Sequence, residues 1–93
     1  MVTPEDIKLS MRIKHDKLNP EIERNINTCL LDLERAGVNV HLDSALLDKA
    51  CELYCKWQYD YMSQGERYEK QYQELRDAMS LCSKYREGVS DEG

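Results

Sequence analysis

Between residues 46 and 61 the apolar side chains Leu46, Leu47, Ala50, Leu53, Tyr54, Trp57 and Tyr61 recur at steps of one, three and four. This spacing holds one stripe on the same side of an α-helix for about four turns; on a strand it would be split between two faces. A stripe of that length must be covered by other elements, so the remainder of the chain has to supply packing partners. We therefore expect a central core helix over about residues 44–62. Asp43 is its expected cap, with Leu42 and Leu47 forming a hydrophobic staple across its first turn.

Three more helices are legible. Thr3-Pro4-Glu5-Asp6 combines a capping residue, a first-turn proline and two carboxylates at the positive end of the helix dipole. It opens a short helix over about 4–13 in which Ile7 and Met11 share a face. Asn19-Pro20 is a second cap-plus-proline start. Ile22, Ile26, Cys29, Leu30 and Leu33 then follow the helical period, Leu31 falls outside it, and Gly37 is the expected left-handed terminator of a helix over about 20–36. Val38 to Leu42 alternates, but with no evident partner strand it reads as an extended connection. Ser63-Gln64-Gly65-Glu66 has the form of a capping box opening a helix over about 64–83, with Tyr68, Tyr72, Leu75, Ala78 and Met79 on its buried face. The expected fold is thus an all-α bundle of about four helices in a single domain, residues 1–93, with a disordered polar tail from about Gly88. Its expected core comprises Leu30, Leu33, Leu46, Leu47, Leu53, Tyr54, Trp57, Tyr72 and Leu75.

Ninety-three residues allow one modest core, burying about 60–65% of the unfolded chain's surface. The charge balance is 13 Lys and Arg against 18 Asp and Glu, a net −5. Acidic excess without a basic stripe argues against binding to phosphate backbones, whose affinity comes from cationic neutralisation. We expect no sequence-specific nucleic-acid partner. The first residues lack the basic and apolar regions of a signal peptide, and no apolar run approaches a membrane span. A cytosolic protein with no membrane partner is expected, and its four cysteines (Cys29, Cys51, Cys55 and Cys82) should be reduced.

Little in the chain points to chemistry. Cys51 and Cys55 are four apart on a helix and could share a face, with Cys29, Cys82, His15 or His41 as further ligands. Structural zinc usually uses two short ligand pairs, and here there is one, bordering the apolar stripe. The thiols read as small hydrophobic side chains, and no metal or cofactor is expected. A Cys–His nucleophile pair lacks both proximity and an oxyanion-stabilising turn. Glu5 and Asp6 read as helix-start charges. Neither phosphate-binding glycine pattern is present. No catalytic residue is assigned, and the chain is expected not to be an enzyme.

Protein contacts are the remaining option. Tyr59 lies off the central stripe and Tyr85 beyond the last well-defined turns, and tyrosine is enriched at interfaces. On the fourth helix Glu66, Arg67, Glu69, Lys70 and Arg76 alternate in sign. Candidate interface residues are accordingly Tyr59, Glu66, Arg67, Lys70, Arg76, Tyr85 and Arg86. Three phrases in order also carry a resemblance: Thr3-Pro4-Glu5-Asp6-Ile7-Lys8 with Arg12-Ile13 and His15-Asp16; Leu33-x-x-Ala36-Gly37-Val38; and Tyr68-x3-Tyr72-x2-Leu75-Arg76 followed by Leu81 and Tyr85-Arg86. Over about residues 3–86 the chain resembles the small head–tail connector, or adaptor, proteins of tailed phages and prophages, also described as phage DNA-packaging proteins. Its four cysteines have no counterpart in that pattern.

The resemblance implies a structural, all-helical subunit that forms a homo-oligomeric ring on the portal vertex after DNA packaging. It implies three partners: further copies of the chain, the portal protein, and a downstream head-completion or tail protein. It also implies a place in the host bacterial cytoplasm during assembly and then at the head–tail junction of the virion. The alternative is a small cytosolic regulator, antitoxin-like or anti-repressor-like, acting as a dimer. A helix-turn-helix reading comes third, because the second and third helices are joined by about six residues rather than three or four.

Overall fold

The computed structural model describes residues 2–42 and 44–82. Four helices pack into an all-α globule: α1 (Pro4–Ser10), α2 (Asn19–Arg35), α3 (Ala45–Gln58) and α4 (Gly65–Leu81). No strand occurs among the described residues, and Val38 to Leu42 is a connection whose valines, Val38 and Val40, are buried. Helix α3 lies at the centre and packs against both α2 and α4, while α1 closes over α2 and α3.

Local chemistry explains most of the helix ends. Thr3 caps α1 as expected: its Oγ1 accepts the Asp6 amide at 3.3 Å, and the Asp6 carboxylate accepts the Thr3 amide at 2.9 Å. The helix is shorter than expected and stops at Ser10. Arg12 turns left-handed (φ 58°), and the Ile13 amide then reaches back to the Lys8 carbonyl at 2.9 Å. Ile7 and Met11 are buried on one face, as their spacing requires. Lys8 is buried along its stem, with its ammonium held by Glu5 and Asp16, so the loop after α1 is tied back onto it.

Gly37 terminates α2 as its position predicts. It is left-handed (φ 95°); its amide bonds to the Glu34 carbonyl, and the Val38 amide bonds to the Leu33 carbonyl at 3.0 Å. At the other end the expectation needs correction. Leu18, not Asn19, is the capping position, and Asn19 and Pro20 already lie in the first turn without a side-chain cap. Helix α3 is capped by Ser44, whose Oγ accepts the Leu46 amide at 3.2 Å. The expected cap, Asp43, lies outside the described residues.

The junction of α3 and α4 differs most from its sequence pattern. Helix α3 ends at Gln58 instead of about residue 62, because Asp60 turns left-handed (φ 49°). A 3-10 turn over Tyr61–Ser63 follows, with Met62 and Ser63 also left-handed. The expected Ser63 capping box does not form. The Asp60 carboxylate reaches across the turn instead and accepts the Gly65 amide at 2.6 Å. A methyl group on Gly65 would sit 2.6 Å from that carboxylate oxygen and 3.3 Å from the Asp60 Cα. Gly65→Ala should therefore lose the cap and cost about 1–2 kcal/mol, read from urea melts. An alanine variant as stable as the parent would show that the turn relaxes freely.

The core is built from Ile7, Ile22, Ile26, Cys29, Leu33, Val38, Leu47, Ala50, Cys51, Leu53, Cys55, Tyr72 and Met79, among others. Four expected members, Leu30, Tyr54, Trp57 and Leu75, are half-buried at its edge. Leu46 is 41% exposed and Ala78 is also exposed, so neither belongs to it. Cys51 and Cys55 do not border the stripe but occupy its centre, both essentially inaccessible. Helix α3 is thus seated with its thiols inward and its large aromatics toward one rim. The expected tail from Gly88 lies outside the described residues.

Candidate protein-interaction groove

The aromatic rim of α3 forms the floor of a surface groove. Tyr54 and Trp57 supply the floor, Thr28, Leu31, Asp32 and Arg35 of α2 form one wall, and Arg76 of α4 forms the other; the volume is about 310 Å3. Helical spacing puts Tyr54 and Trp57 on one side of α3. They meet edge-on at 5.4 Å, and Tyr54 meets the Tyr72 ring beneath at 5.2 Å. On α2 the steps from Arg24 to Thr28, Leu31 and Arg35 are four, three and four, which makes a single outward stripe, and all four residues are exposed.

A polar cluster joins the two walls. Tyr72 Oη donates to Asp32 Oδ2 at 2.7 Å, Arg76 Nη1 donates to the same oxygen at 3.1 Å, and Arg35 Nη2 donates to Oδ1 at 2.8 Å. Below it the Cys29 thiol lies 3.8 Å from Tyr72 Oη. Burial works to raise the Asp32 carboxyl pKa, but the hydrogen bonds from Tyr72, Arg76 and Arg35 outweigh it and hold the group below its ordinary value. Burial, with the Cys29 and Asp32 neighbours, pushes the Tyr72 hydroxyl upward, so it stays a donor. This cluster fixes the positions of both arginines, and Arg35 still presents a guanidinium that is 83% exposed.

Two of the buried thiols, Cys29 and Cys55, are poor nucleophiles. The Cys51 contact and burial together push the Cys29 thiol up, and burial pushes Cys55 up to about 12. All four cysteines are free, and only Cys82 is exposed. Among the described residues no group of three or more His, Cys, Asp or Glu side chains is placed to hold a metal ion. No helix among them is long and apolar enough to cross a membrane.

Among the described residues, only one of the candidate interface residues, Arg76, lies in the groove. Tyr59 is half-buried, its hydroxyl enclosed beside Glu21 and Asn25 of α2; burial first and then the Glu21 carboxylate push it up to about 12. Glu66, Arg67 and Lys70 are exposed around the first turns of α4, where Arg67 Nη1 donates to Gln64 Oε1 at 3.1 Å. Tyr85 and Arg86 lie outside the described residues. The groove residues that sequence reasoning passed over are Leu31, Asp32 and Arg35. The signal for them was present: Leu31 is off the buried face of α2 and stands between exposed arginines at helical spacing.

Exposed leucine, half-buried tryptophan and tyrosine, and positioned arginines together make a surface suited to protein contact, since aromatic residues and arginine dominate binding energy at interfaces. Leu31 is 66% exposed, so this apolar surface gains from being covered. In comparisons with known proteins the chain matches no family model, no curated protein and no solved structure.

Proposed function

We propose that this chain is a structural connector subunit at the head–tail junction of a tailed phage or prophage. It would assemble on the portal vertex after DNA packaging and offer a platform to the next head-completion or tail protein. The observation that carries the reading is the arginine- and aromatic-lined groove between α2 and α4, a surface suited to docking another protein. The ordered phrases that resemble the connector family supply the setting. Their described residues fall at the capped start of α1 and the turn after it, at the glycine-terminated end of α2, and on α4. The role needs no catalytic group, no cofactor and no membrane. An acidic subunit also suits a channel that DNA must pass without adhering, because like charge suppresses backbone binding. The chain would be found in the host cytoplasm during assembly and in the virion afterwards.

Deleting the gene tests this. Full heads and free tails should accumulate, with infectious particles falling by orders of magnitude, and electron microscopy should show unjoined heads. Normal joining of packaged heads to tails in the deletion strain would sink the connector role.

A further inference from the structure

The surface carries a second depression, on the other side of α3. It lies between α1 and α3, has a volume of about 310 Å3, and is lined by Asp6, Asp48 and Glu52 with Lys49 and Ala45 among its other residues. Glu52 is held by Lys49 at 3.1 Å and by Lys56 at 3.2 Å, whereas Asp48 makes no ion pair among the described residues. Asp48 and Trp57 are nine residues apart on α3, half a turn around the helix at about 100° per residue. The acidic cleft and the arginine groove therefore open on opposite faces of the same helix.

The two surfaces are complementary. The groove has two guanidiniums to one carboxylate, an exposed Leu31 and a half-buried Trp57. The cleft has three carboxylates to one ammonium and a small apolar step at Ala45. We propose that the α2–α4 groove of one copy receives the α1–α3 edge of a second copy, with Arg35 facing Asp48 and Leu31 meeting the exposed Ala45. The contact is heterologous, since each copy gives one patch and keeps the other for a further neighbour, which is the arrangement that closes into a ring. It deepens the connector reading and rests on that reading only for closure of the ring. A nucleic-acid strand fits the groove less well. The net charge of −5 opposes a polyanion.

Trp57 is the chain's only tryptophan, so its emission reports the groove directly. The purified chain at low ionic strength should sediment faster as its concentration rises toward millimolar, with Trp57 emission shifting to the blue in step. Arg35→Glu and Asp48→Arg should each weaken association roughly tenfold. Mixing the two variants should restore it. The carboxylate introduced in one variant then faces the guanidinium introduced in the other, with the charges of the parent contact exchanged. Leu31→Ser, which leaves the Asp32 cluster intact, should weaken association with an unchanged thermal melt. The proposal is overturned if the parent chain stays monomeric at millimolar concentration, or if the mixture associates no better than either variant alone. It is equally overturned if Trp57 responds to a single-stranded oligonucleotide but not to protein concentration. These outcomes are independent of the deletion phenotype, so either idea can fail without the other.

Discussion

Tyr72→Ala is expected to remove roughly 3–5 kcal/mol of folding stability, the cost of deleting a large aromatic side chain from a packed core. Tyr72 is fully buried on α4 and meets Tyr54 at 5.2 Å and Trp57 at 6.1 Å across the α3 interface. Its removal empties the space between α3 and α4 and takes one hydrogen bond from Asp32. The loss is a large fraction of the roughly 5–15 kcal/mol that holds a domain folded. Tyr72→Phe separates the two contributions. It keeps the ring and loses only the hydroxyl, so it should cost about 1–2 kcal/mol while Arg35 and Arg76 still satisfy Asp32. Urea denaturation of both variants is the measurement. If alanine proves no worse than phenylalanine, the ring does not hold α3 to α4.

Leu33→Ala should cost about 2–5 kcal/mol, whereas Leu31→Ala, two residues away, should stay within about 0.5 kcal/mol. Leu33 is completely buried, and its carbonyl accepts the Val38 amide that closes the end of α2. Val38 is buried with it. Truncating Leu33 therefore leaves a cavity at the point where the chain reverses, and the capping contact that accompanies Gly37 weakens with it. Leu31 is two-thirds exposed, so its truncation removes little packing. Urea melts of the two variants compare them directly, and equal losses would mean that the facing of α2 is rotated from the one described.

Legibility in the sequence varies with the range of the interaction. The cap at Thr3 and the terminator at Gly37 are legible because their hydrogen bonds close within a few residues. The end of α1 is not, because a left-handed Arg12 does there what a glycine usually does and carries no sequence mark. The end of α3 is hidden for a related reason. The apolar stripe runs on to Tyr61, and periodicity alone cannot report that Asp60 leaves the helix to cap Gly65. The facing of α3 follows the expected period but is shifted in phase. Cys51 and Cys55 are small enough to sit at the tightest contact, which moves Tyr54 and Trp57 to the rim, where their size forms a groove floor.

By itself the sequence determined the number and order of the helices, the cap that starts α1, the glycine that stops α2, and the burial of Ile7, Ile22, Leu33, Leu47 and Leu53. All of these follow from propensity, capping and period, which act within a few turns of one helix. Only the tertiary structure decided the groove. Asp32 meets Tyr72 and Arg76 across 40 and 44 residues of chain, and no local preference encodes such a pair. It exists because α2 and α4 both pack on α3 at a particular rotation, and that rotation is set by the summed shapes of the core side chains rather than by any one of them.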